Sequence, residues 1–150
     1  MADYCEADVP SQTGKTAFVT GANTGIGYDT ARVLAQRGAK VLIGCRTEER
    51  ALAAISKIKE ETPDADLKWI ELDLADLSSI KAAAENVNKE AALNILVNNA
   101  GLTRDMLVIQ MEEDDWSSPL NVNLNAVFRL SKLVGQQMMR NRSGSIINIT

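Results

Sequence analysis

The chain has 150 residues, 45% of them apolar and 24% charged, with a net charge of −4. This profile fits one globular domain and excludes a disordered, collagen-like or disulfide-dense chain. With no basic stripe, no nucleic-acid partner is expected. Histidine is absent, which rules out Ser-His and Cys-His nucleophiles and His-bound metals, and no metal site is predicted. Two cysteines, Cys5 and Cys45, give no disulfide framework, so a reducing, cytoplasmic setting is expected. No apolar run approaches the roughly 18 residues of a membrane helix, and the first residues have no secretory-signal pattern, so no membrane role is expected.

In chain order, residues 1–14 are polar and patternless and read as a flexible leader; the domain is expected over 15–150. Lys15–Thr20 holds the short apolar run of a first strand. Gly25–Gln36 has apolar positions at helical spacing, and Gly38 suits the helix's C-terminal end. Val41–Gly44 is a second strand and Glu48–Glu60 a second helix. Leu67–Leu72 and Leu77–Val87 repeat the pair. Leu93–Val97 is a buried-type strand, a helix lies between Glu113 and Met139, and Ser145–Thr150 is a fifth strand rich in Ile. Strands alternating with helices predict an α/β fold with right-handed crossovers and a parallel sheet covered on both faces. With a glycine loop after strand one, the expected form is Rossmann-like and doubly wound, five strands in the order 3-2-1-4-5, truncated after the fifth.

That loop reads T-G-A-N-T-G-I-G, Thr20 to Gly27. Gly21, Gly25 and Gly27 let the backbone turn and approach a ligand, and with Asn23, Thr24 and Ile26 they open a helix whose free N–H groups suit a pyrophosphate. A ligand-free turn would use the same glycines; the position between strand and helix favours a dinucleotide. The second strand ends Gly44-Cys45-Arg46. A site for NAD(H) would place Asp or Glu there, on the ribose 2′-hydroxyl. Neutral Cys45 followed by Arg46 favours NADP(H), because a guanidinium binds a phosphate bidentately. Arg46 as a plain surface charge is the alternative. Cys45 reads as a small strand-end residue rather than a reactive thiol. Trp69 and Trp116 read as packing residues rather than cofactor contacts, and Met106, Met111, Met138 and Met139 as core or surface fillers.

The spacing G-x-x-x-G-x-G resembles the short-chain dehydrogenase/reductase family. Asp73-Leu74 after the third strand, Asn98-Asn99-Ala100-Gly101 after the fourth, and Val122-Asn123-Leu124 resemble three further motifs of that family. Residues 15–101 are similar to retinol-dehydrogenase-like members and residues 98–150 to beta-ketoacyl-ACP reductases. The resemblance implies that Asp73 and Leu74 contact adenine, and that Asn99, Ala100 and Gly101 border the cofactor. It implies for Asn123 a catalytic role, its backbone carbonyl holding a water of a proton relay. Pro119 departs from the pattern; Ser118 as N-cap with Pro119 in the first turn would accommodate it.

The family's hydride transfer needs a Tyr with Lys four residues on, and a Ser after the fifth strand. The tyrosines are Tyr4 and Tyr28, and Tyr28 is followed at that spacing by Arg32. The family's Ser would fall just past Thr150. The expectation is therefore an NADP(H)-dependent carbonyl/alcohol oxidoreductase by family, represented by a cofactor-binding fragment inactive alone. The alternative is a stand-alone NADP(H)-binding or assembly module. Besides the dinucleotide, a homo-oligomer or complementing chain is expected at the fifth-strand edge and the helix over 120–139, using Leu124, Val127, Phe128, Ser131 and Val134.

Overall fold

The computed structural model describes residues 5–90 and 92–149. Its elements run β1 (Thr16–Thr20), α1 (Gly25–Gln36), β2 (Lys40–Cys45), α2 (Glu48–Glu61), β3 (Leu67–Glu71), α3 (Leu77–Lys89) and β4 (Leu93–Asn98). After β4 come α4 (Glu113–Leu120), a π-helical segment (Asn121–Asn125), α5 (Ala126–Asn141) and β5 (Ser145–Asn148). The strands form one parallel sheet in the order β3-β2-β1-β4-β5, as the alternation predicts.

The register explains the two-faced core. Side chains alternate across each strand. Phe18 of β1, Leu42 of β2 and Leu96 of β4 point to one face, where Ile80 and Val87 of α3 and Leu130 and Val134 of α5 cover them. Val19, Val41, Ile43 and Val97 point to the other face, under Ala31 and Ala35 of α1 and Ile58 of α2. The alanines let α1 and α2 lie close to the sheet; the larger side chains under α3 and α5 fill a deeper layer.

The chain turns back between β1 and β4, so the loops after these strands leave in opposite directions and open a crevice at the strands' carboxyl ends. Glu90, at the opposite end of the sheet, bridges Lys40 of β2 at 2.7 Å and Lys68 of β3. Residues 5–14 lie against α1. Arg32 holds the Glu6 carboxylate with both terminal nitrogens, at 2.6 and 3.1 Å, Arg37 donates to the Glu6 carbonyl, and Gln12 donates its N–H to Arg37 O at 2.7 Å. Tyr4 and Thr150 lie outside the described residues.

Three expectations are corrected. Pro119 does not open a helix: α4 starts six residues earlier, at Glu113, and Pro119 sits inside it. Glu112 caps that start instead, its N–H donating to Asp115 Oδ2 at 3.2 Å. Pro119 cannot donate to the carbonyl four residues back, and the helix passes on into the wider π turn. Trp116, read as a packing residue, is 59% exposed on α4. Val134 does not share an outward face with Leu124 and Phe128: it is buried against the sheet, while those two are exposed. Ser131 and Val127 are half-buried. Among the described residues, β5 is exposed along its length and pairs on one side only.

Candidate functional site

A cavity of about 450 Å³ opens at the carboxyl ends of β1, β2, β3 and β4. Gly21, Asn23, Thr24, Cys45, Arg46, Asp73, Leu74, Asn99, Ala100 and Gly101 line it. These are ten of the residues singled out in the sequence. Gly25, Ile26, Gly27 and Asn123 are not part of its wall. Thr47, Arg50 and Leu102, which no sequence motif marks, also line it, as does Val122 of the Val122-Asn123-Leu124 segment.

The floor is built on Thr20, the buried last residue of β1. Its hydroxyl accepts from the N–H groups of Asn99 at 2.9 Å and Ala100 at 3.1 Å. The Asn99 side-chain amide returns a bond to Thr20 O at 3.1 Å. The ends of the two strands flanking the switch point are thus locked together. Asn98 is buried and bonds Ser131 of α5 and Asn148 of β5, so the paired asparagines hold the sheet and border the cavity at once.

Two glycines are required by this packing. Gly21 has φ +65°, and a Cβ there would stand 2.9 Å from Ala100 Cα. A Cβ on Gly27 would collide with the Asn99 amide and stand 2.5 Å from the Gly21 carbonyl. The loop therefore lies tight under the start of α1. Thr24 caps α1 through its backbone, with no side-chain cap bond, and the first-turn N–H groups of an α-helix have no partner within it. α2 starts in the same way at Thr47. α3, by contrast, is capped by Asp76, which accepts from Ser78 N–H at 2.8 Å.

Among the described residues, Asp73 is the one carboxylate in the cavity wall; its Oδ1 accepts from Ala75 N–H at 2.9 Å, and its own N–H donates to Ser79 Oγ at 2.8 Å. Cys45 is buried, and burial pushes its thiol above the ordinary value; Sγ donates to Thr47 O at 3.3 Å. Arg46 and Arg50 form no ion pair or hydrogen bond among the described residues. Asn123 sits in the π segment outside the wall, and its amide clamps Leu102, donating to Leu102 O and accepting from Leu102 N–H, both at 2.8 Å. It thereby fixes the loop that follows Gly101. Tyr28 packs on the α1–α2 side, with the Lys57 ammonium 5.0 Å from its ring centroid, away from the cavity. No group of metal-ligating side chains occurs among the described residues, and no helix among them is long and apolar enough to cross a membrane.

A parallel sheet in this order, with a glycine-lined cavity at its switch point, defines a Rossmann-like domain. The pattern of the short chain dehydrogenase family matches residues 15–150, and the chain belongs to that family of oxidoreductases. It is 45% identical over 137 residues to the 3-oxoacyl-[acyl-carrier-protein] reductase FabG of Vibrio harveyi, covering 91% of this chain and 54% of that protein. The FabG of Thermotoga maritima is 39% identical over 138 residues, covering 91% and 55%. The structure of a gluconate 5-dehydrogenase from Burkholderia cenocepacia, in complex with NADP and tartrate, superposes with a TM-score of 0.82 at 34% identity, covering 92% of this chain and 54% of that one. The structure of gox2181 superposes at 0.86 with 28% identity, covering 93% and 54%. The chain spans about half the length of the relatives it matches.

Proposed function

We propose that this chain is the cofactor-binding half of an NADP(H)-dependent oxidoreductase that interconverts a carbonyl and an alcohol, and that alone it binds the dinucleotide without turning over substrate. The carrying observation is the end of β2. Cys45 and Arg46 stand in the cavity wall where a carboxylate would select the 2′-hydroxyl of NAD(H), and Arg46 has no protein partner among the described residues. Support comes from the relative whose structure holds NADP, and from the relatives' names, which describe reduction of a 3-oxoacyl group and oxidation of gluconate.

The residues fit the cofactor. A Cβ would fill the cradle at Gly21 and Gly27, and the uncapped start of α1 offers N–H groups to a pyrophosphate. Arg46 would take the 2′-phosphate, Asp73 and Leu74 the adenine, and Asn99 to Gly101 the nicotinamide half, whose ring supplies the hydride. Asn123 would hold a water of the proton relay through its backbone carbonyl; π turns inside helices recur at functional sites. The proton donor must come from outside this sequence, since neither tyrosine has a lysine four residues on.

Calorimetric titration tests this reading. NADPH is expected to bind at least about tenfold more tightly than NADH, and Arg46→Ala to lose about 1.5–3 kcal/mol with NADPH alone. Equal affinities for the two would overturn it.

A second reading, an assembly module pairing with another chain, is favoured by one observation. An open groove of about 620 Å³ runs between α5 and β5, past Ser131, Gly135, Met138 and Ile146, beside the unpaired edge of β5.

A further inference from the structure

We propose that Arg50 is a second selector of NADP(H), converging with Arg46 on the 2′-phosphate; this deepens the NADP(H) reading above and rests on it. A terminal phosphate carries three acceptor oxygens and close to two negative charges. One bidentate guanidinium satisfies two of those oxygens. The third needs another donor, and Arg50, in the first turn of α2, lines the same cavity as Arg46. Its charge opposes the burial that raises the Cys45 thiol.

Local energetics argue that Arg50 is not there for the helix. Thr47 is the N-cap of α2, so Arg50 is its third residue. A cation in a first turn opposes the helix dipole. The pattern Thr-x-x-Glu or Thr-x-x-Gln would close a capping box at this position, yet arginine occupies it and Thr47 makes no side-chain cap bond. Nor is Arg50 held by neighbours. Arg32, Arg37, Lys40 and Lys68 all bond a partner in the protein, whereas Arg46 and Arg50, both in the cavity wall, bond none among the described residues.

The test titrates the 150-residue chain and its Arg46→Ala, Arg50→Gln and Arg50→Lys variants with NADP⁺, NAD⁺ and adenosine 2′,5′-bisphosphate. Glutamine at 50 supplies the capping-box residue, so Arg50→Gln is expected to melt no lower than the parent. It should weaken NADP⁺ and the bisphosphate about fivefold to tenfold and leave NAD⁺ unchanged. Lysine, a point charge without the planar fork, should restore only part of the loss. Unchanged NADP⁺ binding in Arg50→Gln, with the preference lost in Arg46→Ala, overturns this inference and leaves the NADP(H) reading standing. Equal weakening of NADP⁺ and NAD⁺ by Arg50→Gln also overturns it, assigning Arg50 to the shared part of the ligand. A parent chain without preference between the dinucleotides overturns both.

Discussion

Glu90 shows how a single side chain is tuned by its surroundings. Hydrogen bonds from Lys40, and then Lys68, hold its carboxyl below the ordinary carboxylate range, while Lys40 is correspondingly raised. The Glu90 side chain is 16% exposed and that of Lys40 27%, whereas Lys68 is 53% exposed and adds little. A carboxylate with a lowered native pKa stabilises the fold above its unfolded value, and the contribution fades as pH falls through the native one. Urea unfolding should therefore show Glu90→Gln less stable than the parent by about 1 kcal/mol near pH 7. The gap should close below the ordinary carboxylate value of 4.5; a gap independent of pH would mean that packing, not charge, is lost. Single residues were unequally legible. Gly21, Asn99 and Arg46 stand out in sequence because each sits at a strand end beside turn residues. Arg50 does not, because three residues into an amphipathic helix a basic side chain looks like solvated surface. Only the fold turns it back to the cavity.

Among the elements, the strands and the first three helices followed from periodicity. Each was a short apolar run or an apolar stripe bounded by turn residues, and the βα order fixed the sheet. The stretch from 113 to 125 did not follow. Pro119 reads as a start signal, but the acidic residues Glu113, Asp114 and Asp115 in the first turn open the helix, and the π turn has no sequence signature. That turn carries Asn123, whose paired bonds to Leu102 tie α4 and α5 to the loop after β4. Asn123→Ala should speed amide exchange at Leu102 and cost about 1 kcal/mol of stability, both bonds being solvent-accessible. Exchange at Leu102 no faster than in the parent would show the loop to be held by other contacts.

In the molecule as a whole, the two edges of the sheet differ. β3 lies under α2 and is half-covered, while β5 exposes Ile146 at 42% and Ile147 at 48%. Unpaired backbone groups beside exposed isoleucines form a template for another strand. Leu124 and Phe128, 62% and 64% exposed, add apolar surface on the 120–139 stretch. The 150-residue chain is expected to self-associate, most simply as a two-fold dimer, with sedimentation velocity showing a concentration-dependent rise in mass. A single monomeric species at all concentrations would show that these surfaces tolerate water.

The strand order also sets a timetable for the nascent chain. β1 has its first neighbour once β2 has emerged, but its second, β4, is made last among the inner strands, with about 48 positions between Cys45 and Leu93. At a ribosomal pace of roughly 5–20 residues per second that interval lasts about 2–10 seconds. Through it Phe18 and Val19, fully buried in the finished molecule, wait on a half-paired strand. The interval ends when Asn99 arrives to grasp Thr20. The bond that seats the glycine loop is thus also among the last to form at the centre of the sheet, and a chain stalled before residue 99 would present this apolar strand to any chaperone within reach.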